Sequence, residues 1–321
     1  MATRIAFAVL TFLLAAAPRQ VDGQETLRQL EDRAARLKAG GDAPGALAAW
    51  EKAAEIAADS ARIQDEIGFL LAVLNRRTEA AQRFERALAL DPKFAPAHYH
   101  LGVALWLEQK PDEAIPHLES AAALDPKSFE YRYFLGQAWN ATGHFAEALG
   151  QLETAVKLNP RASDGWNQLG LARQRTGNSQ TAMDAYRRAV DLAPSNADAR
   201  NNLGFVLVNS GRAEEGLAQF RKILDADPGN NMARVNAGFA YLQKADLDQA
   251  ASQFREVLRR DPHSAIAHYD LGIALKQKDD LEAAKAEIAL ALAEDPALAE
   301  GHYALGIIHW QSGEFDGAAK A

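Results

Sequence analysis

The chain has 321 residues, of which 48% are hydrophobic and 24% charged, and it contains no cysteine. This apolar fraction is that of a folded protein rather than a disordered one, and the lack of cysteine excludes disulfides, thiolate metal sites and a cysteine nucleophile. A formal net charge of -8 argues against a general nucleic-acid binder, which needs a clustered basic surface.

The first 23 residues have the composition of a secretory signal peptide. Arg4 precedes a short, almost entirely apolar run, Ile5–Ala17. As a helix this run would reach about 20 Å, less than the roughly 30 Å hydrocarbon core of a membrane. A basic start, a short apolar run and small residues near its end are typical of an export signal. We predict cleavage after Gly23, a site favoured over Ala17 because Pro18 follows that residue. The mature chain would then have no membrane span and would be periplasmic or extracellular.

From Leu27 onward the sequence repeats every 34 residues without insertion or deletion. Such a period indicates a repeat architecture, in which a single unit cannot bury its apolar side and neighbouring units stack. Proline marks the period at Pro92, Pro126, Pro160, Pro194, Pro228, Pro262 and Pro296. Glycine marks it at Gly68, Gly102, Gly136, Gly170, Gly204, Gly238, Gly272 and Gly306.

Each period predicts two helices. In the unit Ala95–Ser128, apolar residues recur at helical spacing from Leu101 and again from Ala114. A proline closes the unit, because the residue before proline is disfavoured in the helical region. The glycine inside the first helix costs about 1 kcal/mol relative to alanine, so we expect it to allow close approach of the second helix, where an alanine recurs. A larger residue fills the space later in the second helix: Trp50, Phe84, Leu118, Leu152, Tyr186, Phe220, Phe254 and Ile288.

The repeat resembles that of tetratricopeptide-repeat (TPR) proteins, whose 34-residue helix-turn-helix carries conserved tryptophan, leucine-glycine, alanine, aromatic and proline positions. The unit Ser163–Asn196 matches this pattern with Trp166, Leu169, Gly170, Gly177, Ala182, Tyr186, Ala189 and Pro194. The resemblance implies an all-α fold, a right-handed α-solenoid whose first helices line a concave groove. It divides the chain into a linker and degenerate first repeat at 24–60, seven tandem repeats at 61–298, and a partial repeat at 299–321.

The sequence contains no catalytic or metal-binding constellation that we can identify. His98, His268 and His302 occupy the fourth position of their repeats, where the family places a large packing residue, so we interpret them as packing groups. His98 and His100 are two residues apart and point to different sides of a helix, which excludes a shared metal. Zinc-protease, serine-hydrolase and glycine-rich phosphate motifs are missing. We therefore predict a non-enzymatic protein without cofactor or metal.

In the TPR family the second, fifth, sixth, ninth, twelfth and thirteenth positions of a repeat tend to face the groove. Here the fifth and sixth positions carry amides in the middle of the chain and aromatic residues towards both ends. Amides can pair with the backbone of an extended peptide, and tyrosine and tryptophan give rigid contact area. The candidate peptide-binding residues are Asn167, Gln168, Asn201, Asn202, Asn236, Tyr99, Tyr133, Tyr269, Tyr303, Trp106 and Trp310. The alternative is that the amides bind water and the aromatic residues pack between repeats.

Two classes of function remain open. The first is an exported, non-enzymatic scaffold that binds a protein or an extended peptide in the groove. A basic clamp for a carboxylate-ended tail is excluded, because the groove positions it needs are mostly neutral or acidic here. The second is the partner-holding arm of a longer enzyme or envelope or secretion protein, with its catalytic or membrane domain beyond residue 321. Repeat arrays normally end in a polar capping helix; without one, this end predicts a longer natural chain, docking on a partner or self-association.

Overall fold

The computed structural model describes residues 25–314, so the predicted signal peptide and the last seven residues lie outside the described range. Within that range the chain forms seventeen α-helices and no strand. The helices are α1 Leu27–Ala39, α2 Ala43–Ile56, α3 Ala61–Val73, α4 Arg77–Leu90, α5 Ala95–Leu107, α6 Pro111–Leu124, α7 Phe129–Ala141, α8 Phe145–Leu158 and α9 Ser163–Arg175. They continue as α10 Ser179–Leu192, α11 Ala197–Asn209, α12 Ala213–Ala226, α13 Asn231–Gln243, α14 Leu247–Arg260, α15 Ala265–Gln277, α16 Leu281–Glu294 and α17 Ala299–Gln311.

The contacts divide the chain into two compact units, one up to Ala104 and one from Leu105 onward. In unit 1, α1 packs on α2, α2 on α3, and α3 on α4. In unit 2, from α7 to α16, the first helix of each repeat packs on its second helix, and that second helix packs on the first helix of the next repeat. The prediction of an all-α fold built from stacked helix pairs is confirmed.

The second helix of each repeat ends at the residue before the recurring Asp-Pro or its equivalent. Asp261, which precedes Pro262, has φ -131° and ψ 84° and caps α14 with its N–H bonded to the carbonyl of Val257. Its extended conformation is the one that a following proline favours. The prediction that these dipeptides terminate the helices is confirmed.

The turn inside each pair reverses the chain at one residue in the left-handed region. Glycine occupies this place at Gly41, Gly143, Gly177, Gly211 and Gly313, with φ between 75° and 86°. Four repeats use another residue there, namely Asn75, Gln109, Ala245 and Asp279, with φ between 57° and 64°. Alanine has no side-chain group that compensates this conformation, so Ala245 is the least favourable of the four.

The recurring glycine of the first helix makes room for the large residue of the second helix. A Cβ atom on Gly238 would lie 2.4 Å from Cε1 of Phe254, and one on Gly68 would lie 2.6 Å from Cε1 of Phe84. The expected close approach of the second helix is therefore present. The recurring alanine contributes less to it than the large residue, because the Cβ atom on Gly68 would lie 3.1 Å from the carbonyl oxygen of Ala80. The glycine is required chiefly by the buried ring.

From the repeat that begins at Ala61 onward, the fourth position contributes a hydrogen-bond donor as well as packing area. Trp166 Nε1 donates to the carbonyl of Pro160 at 3.0 Å, and an Arg200 Nη atom donates to the carbonyl of Pro194 at 2.6 Å. A carbonyl oxygen only accepts, so the ring nitrogens that contact such oxygens are donors too. The same bond, to the carbonyl six residues earlier, is made by Gln64, His98, Arg132, Arg234, His268 and His302. The interpretation of these histidines as packing groups alone was incomplete.

Candidate peptide-binding face

The first helices of unit 2 form one continuous side of that unit. α7 contacts α9, α9 contacts α11, α11 contacts α13, and α13 and α15 contact the first helices that follow them. Between residues 145 and 294, consecutive second helices make no such direct contact. The first helices therefore approach one another more closely than the second helices do, which makes theirs the inner side. We call the surface of α7, α9, α11, α13, α15 and α17 the first-helix face.

Four of the predicted site residues form two hydrogen-bonded pairs on this face. Asn202 Nδ2 donates to Asn167 Oδ1 at 3.0 Å, which links α11 to α9. Asn236 Nδ2 donates to Asn201 Oδ1 at 2.8 Å, which links α13 to α11. Each bond joins the fifth position of one repeat to the sixth position of the next, a spacing of 35 residues. We call these four residues the amide ladder.

The amide ladder keeps unused hydrogen-bonding groups. Asn167 and Asn201 use their oxygens, and no bond within the described residues engages their Nδ2 groups. Asn202 and Asn236 use one Nδ2 hydrogen each and keep their Oδ1 acceptors. All four side chains are half-buried. The face therefore offers both free donors and free acceptors, which are the groups that an extended peptide backbone can pair with.

Gln168 pairs with a residue that sequence reasoning missed. Asn140, only 5% exposed, donates through Nδ2 to the Gln168 backbone carbonyl at 2.9 Å and to Gln168 Oε1 at 3.0 Å. Asn140 occupies the twelfth position of its repeat, one of the groove positions, and this was the signal available in the sequence. Gln168 is thus held against α7 rather than against the amide ladder.

Unit 1 contains an aspartate–histidine version of the same pairing. Asp65 and His100 are also 35 residues apart, and Oδ1 of Asp65 lies 2.8 Å from Nδ1 of His100. Phe69 and Phe84 place their ring centroids 5.5 and 5.4 Å from that of His100. Tyr99, the predicted site residue of this unit, lies 5.3 Å from the same ring.

The predicted aromatic residues of unit 2 differ in their surroundings. Tyr133 stacks on Phe129 with centroids 5.5 Å apart, and burial raises the pKa of its hydroxyl to about 12. Tyr303 and Trp310, both on α17, are 74% and 66% exposed. The other two predicted aromatic residues, Trp106 on α5 and Tyr269 on α15, are half-buried. Tyr133 is therefore a packing residue, whereas Tyr303 and Trp310 present free ring surface within the described part of the chain.

Asp270 stands where the amide ladder is interrupted. It holds the sixth position on α15, and the residue 35 positions earlier is Val235, which has no group to bond it. No described residue gives its carboxylate a hydrogen bond or ion pair, and burial raises its pKa to about 7. The pKa of the neighbouring Tyr269 is raised by burial and by the carboxylates of Asp270 and Glu300. The sixth-position pattern pointed to Asp270, but its burial depended on the fold.

Residues 25–314 contain no group of three or more histidine, aspartate and glutamate side chains placed to hold a metal ion. Over the same range no helix is long and apolar enough to cross a membrane.

The chain belongs to the TPR family. One model of the tetratricopeptide repeat matches residues 66–128 and 235–299, and a second such model matches residues 105–169. A model described as the TPR domain of cytochrome c-type biogenesis protein H matches residues 151–266. The resemblance read from the repeat motif is thereby confirmed. No curated protein matches the chain significantly.

Solved structures show the same fold at low sequence identity. The Cut9–Hcn1 hetero-tetramer of the APC/C is 17% identical with a TM-score of 0.62, over 87% of this chain and 55% of that one, so this chain spans little more than half of its length. A TPR protein from Parabacteroides merdae is 15% identical with a TM-score of 0.63, over 77% and 98% of the two chains. YrrB, described as a TPR protein with an unusual peptide-binding site, is 24% identical with a TM-score of 0.50, over 58% and 96%.

Proposed function

We propose that this TPR protein is a non-enzymatic scaffold that holds a protein partner by an extended peptide segment on the first-helix face. The observation that carries the proposal is the amide ladder, with its unused Nδ2 donors on Asn167 and Asn201 and unused Oδ1 acceptors on Asn202 and Asn236. These groups sit on helices that are already folded, so little ordering free energy is lost when a peptide binds. The description of YrrB as peptide-binding supports the same use of the fold.

The pattern of free groups favours recognition of the peptide backbone over recognition of its side chains. A backbone presents one N–H and one carbonyl per residue, whatever the side chain. Amides with free donors and free acceptors can bond both. The affinity contributed by the amide ladder is therefore independent of peptide sequence, and specificity has to come from other residues of the face.

We also propose that the protein works outside the cytoplasm, in a periplasm or extracellularly. The proposal rests on the basic start and short apolar run of the first 23 residues. N-terminal sequencing of the protein recovered from the exported fraction should give Gln24 as the first residue, and recovery of Met1 there would contradict the proposal.

A second candidate is the partner-holding arm of a longer envelope or secretion protein. The match of residues 151–266 to the TPR domain of cytochrome c-type biogenesis protein H favours it, because that model describes a repeat domain of an assembly protein. Mass spectrometry of the protein isolated from its native source decides between the candidates: a mass above that of 321 residues supports the arm.

The test of peptide binding uses random 12-residue peptides displayed on phage and selected on the full chain. Affinity for the selected peptides is then measured by calorimetry with the double variant Asn202→Ala, Asn236→Ala. Each lost neutral hydrogen bond is worth about 1 kcal/mol, so the dissociation constant should rise about 30-fold. Helicity by circular dichroism should be unchanged.

A matched control removes two amides from second helices. Gln180 on α10 and Gln249 on α14 are exposed, and Gln180→Ala with Gln249→Ala should leave peptide affinity as it is. Since the ladder bonds also connect neighbouring helices, binding is measured well below the melting temperature of each variant. Equal affinity of the ladder variant and the control would mean that the ladder only connects repeats.

A further inference from the structure

The first-helix face changes from acidic to apolar between α11 and α13 at the second position of the repeat. On α13 and α15, the second position of the repeat holds Met232 and Ile266, which are 65% and 58% exposed. At the same position α9 and α11 carry Asp164 and Asp198. The half-buried side chains of Val235 and Ile273 extend the apolar area on the same two helices. A peptide that bonds to the amide ladder would next meet this apolar stretch.

A single carboxylate lies within the apolar stretch. Asp270 stands at the sixth position, where α11 and α13 carry the asparagines of the amide ladder. The residue 35 positions earlier, with which it would pair, is Val235. It is without a bonding partner among residues 25–314, and burial shifts the pKa of its carboxyl to about 7. The cost of a buried carboxylate is normally offset by a cation or by several donors. Residues 25–314 provide neither.

The surrounding charges do not supply a cation either. On α13 the fifth and sixth positions of the repeat are Val235 and Asn236, both neutral. From α17, Glu300 adds a second negative charge, which acts on Tyr269 beside Asp270. Lys276 lies further along α15 but forms no ion pair with Asp270. The local field is therefore negative and complementary to a positive ligand group.

We propose that Asp270 is the subsite for a lysine or arginine side chain of the bound peptide, flanked by apolar subsites at Met232 and Ile266. The inference rests on the proposed function, because the peptide has to lie along the first-helix face. It adds what the amide ladder does not provide, namely selection by side chain. The cation forms a charge-assisted bond with Oδ of Asp270, while neighbouring aliphatic residues of the peptide cover the apolar stretch.

The test compares peptides selected from the random 12-residue library on the full chain and on two variants, Asp270→Asn and Asp198→Asn. Asparagine is the residue at the sixth position of α11 and α13, so Asp270→Asn keeps backbone bonding and removes only the charge. Asp198 is an exposed carboxylate on the first-helix face, which makes its amide variant the matched control. The wild type and Asp198→Asn should enrich lysine and arginine at one peptide position, and Asp270→Asn should not.

A calorimetric titration then isolates the charge. A selected peptide and its analogue with norleucine in place of the cationic residue should differ at least about tenfold in affinity for the wild type. They should differ less than about threefold for Asp270→Asn, which should bind the norleucine analogue as well as the wild type does. That retained affinity also shows that the variant is folded.

Two results would overturn the inference in distinguishable ways. The first result is that binding depends on the amide ladder but shows no cationic preference, or shows the same preference with Asp270→Asn. This result would refute the Asp270 subsite and leave the proposed function standing. Peptides that bind without sensitivity to Asn202→Ala and Asn236→Ala, or failure to select any peptide, remove both.

Discussion

Replacing Gly238 by alanine adds one methyl group where the structure has a ring. The new Cβ atom would lie 2.4 Å from Cε1 and 2.6 Å from Cζ of Phe254, whose side chain is fully buried. Carbon atoms pack at about 3.5–4.0 Å, so the ring has to move by roughly 1 Å within a filled core. Overpacking of this kind costs about 1–3 kcal/mol, whereas alanine returns about 1 kcal/mol through its helix propensity. We expect a net loss of up to about 2 kcal/mol.

The chain provides a control in which the same substitution has the opposite sign. Gly150 lies in the interior of α8, is exposed, and has no atom within 4 Å of its Cβ position. Gly150→Ala should therefore gain up to about 1 kcal/mol of stability from helix propensity alone. Guanidinium unfolding followed by circular dichroism gives both free energies of unfolding. If Gly238→Ala were more stable than the wild type by as much as Gly150→Ala, the steric reasoning would be refuted.

Three further predictions concern other parts of unit 2. The raised pKa of Asp270, about 7 when folded, means that the folded state holds its proton at pH 5 and the unfolded state does not. Wild-type stability should then fall by about 2–3 kcal/mol from pH 5 to pH 8 relative to Asp270→Asn, and parallel denaturation curves at the two pH values would contradict this. His268→Arg should keep the hydrogen bond to the carbonyl of Pro262 and melt at the wild-type temperature. His268→Leu should lose about 1–3 kcal/mol of stability, because the carbonyl of Pro262 and the carboxylate of Glu287 lose their donor. Equal melting temperatures for the two variants would argue against the donor role. Ala245→Gly should gain about 1 kcal/mol because φ is 57° there, and a lower melting temperature would contradict it.

The fold was predictable because its determinants recur in register. Pro262 and Gly238 each belong to a set of identical residues spaced by 34 positions, and each set has the same local role in its repeats. A proline ends a helix by restricting the residue before it, and a glycine makes room for the large side chain of the same repeat. Both effects act within one repeat, so a sequence shows them directly.

Contacts between repeats were predicted less well. Asn202 and Asn236 were identified as groove residues, but not their bonds to Asn167 and Asn201. Those bonds depend on a one-residue stagger between neighbouring first helices, which the 34-residue period does not reveal. Asp270 was visible as an acidic residue in the row, yet its burial depends on what three helices place around it.

The fourth position was misread for a different reason. Gln64, Arg200 and His268 differ in size and charge. Packing was therefore the one role that all three side chains suggested. The structure shows that they share an N–H group aimed at a backbone carbonyl six residues earlier. A comparison of donor chemistry, rather than of side-chain size, would have found the pattern.

This bond to the carbonyl between repeats has a consequence for the surface charge of the protein. Its acceptor belongs to the backbone and is present in every repeat whatever the sequence, so the donor can be neutral, as in Trp166, or cationic, as in Arg200. This one bond between consecutive repeats is thereby independent of the charge of its donor. The charge at the fourth position, and with it the electrostatic potential along the array, can change from repeat to repeat while the bond is kept.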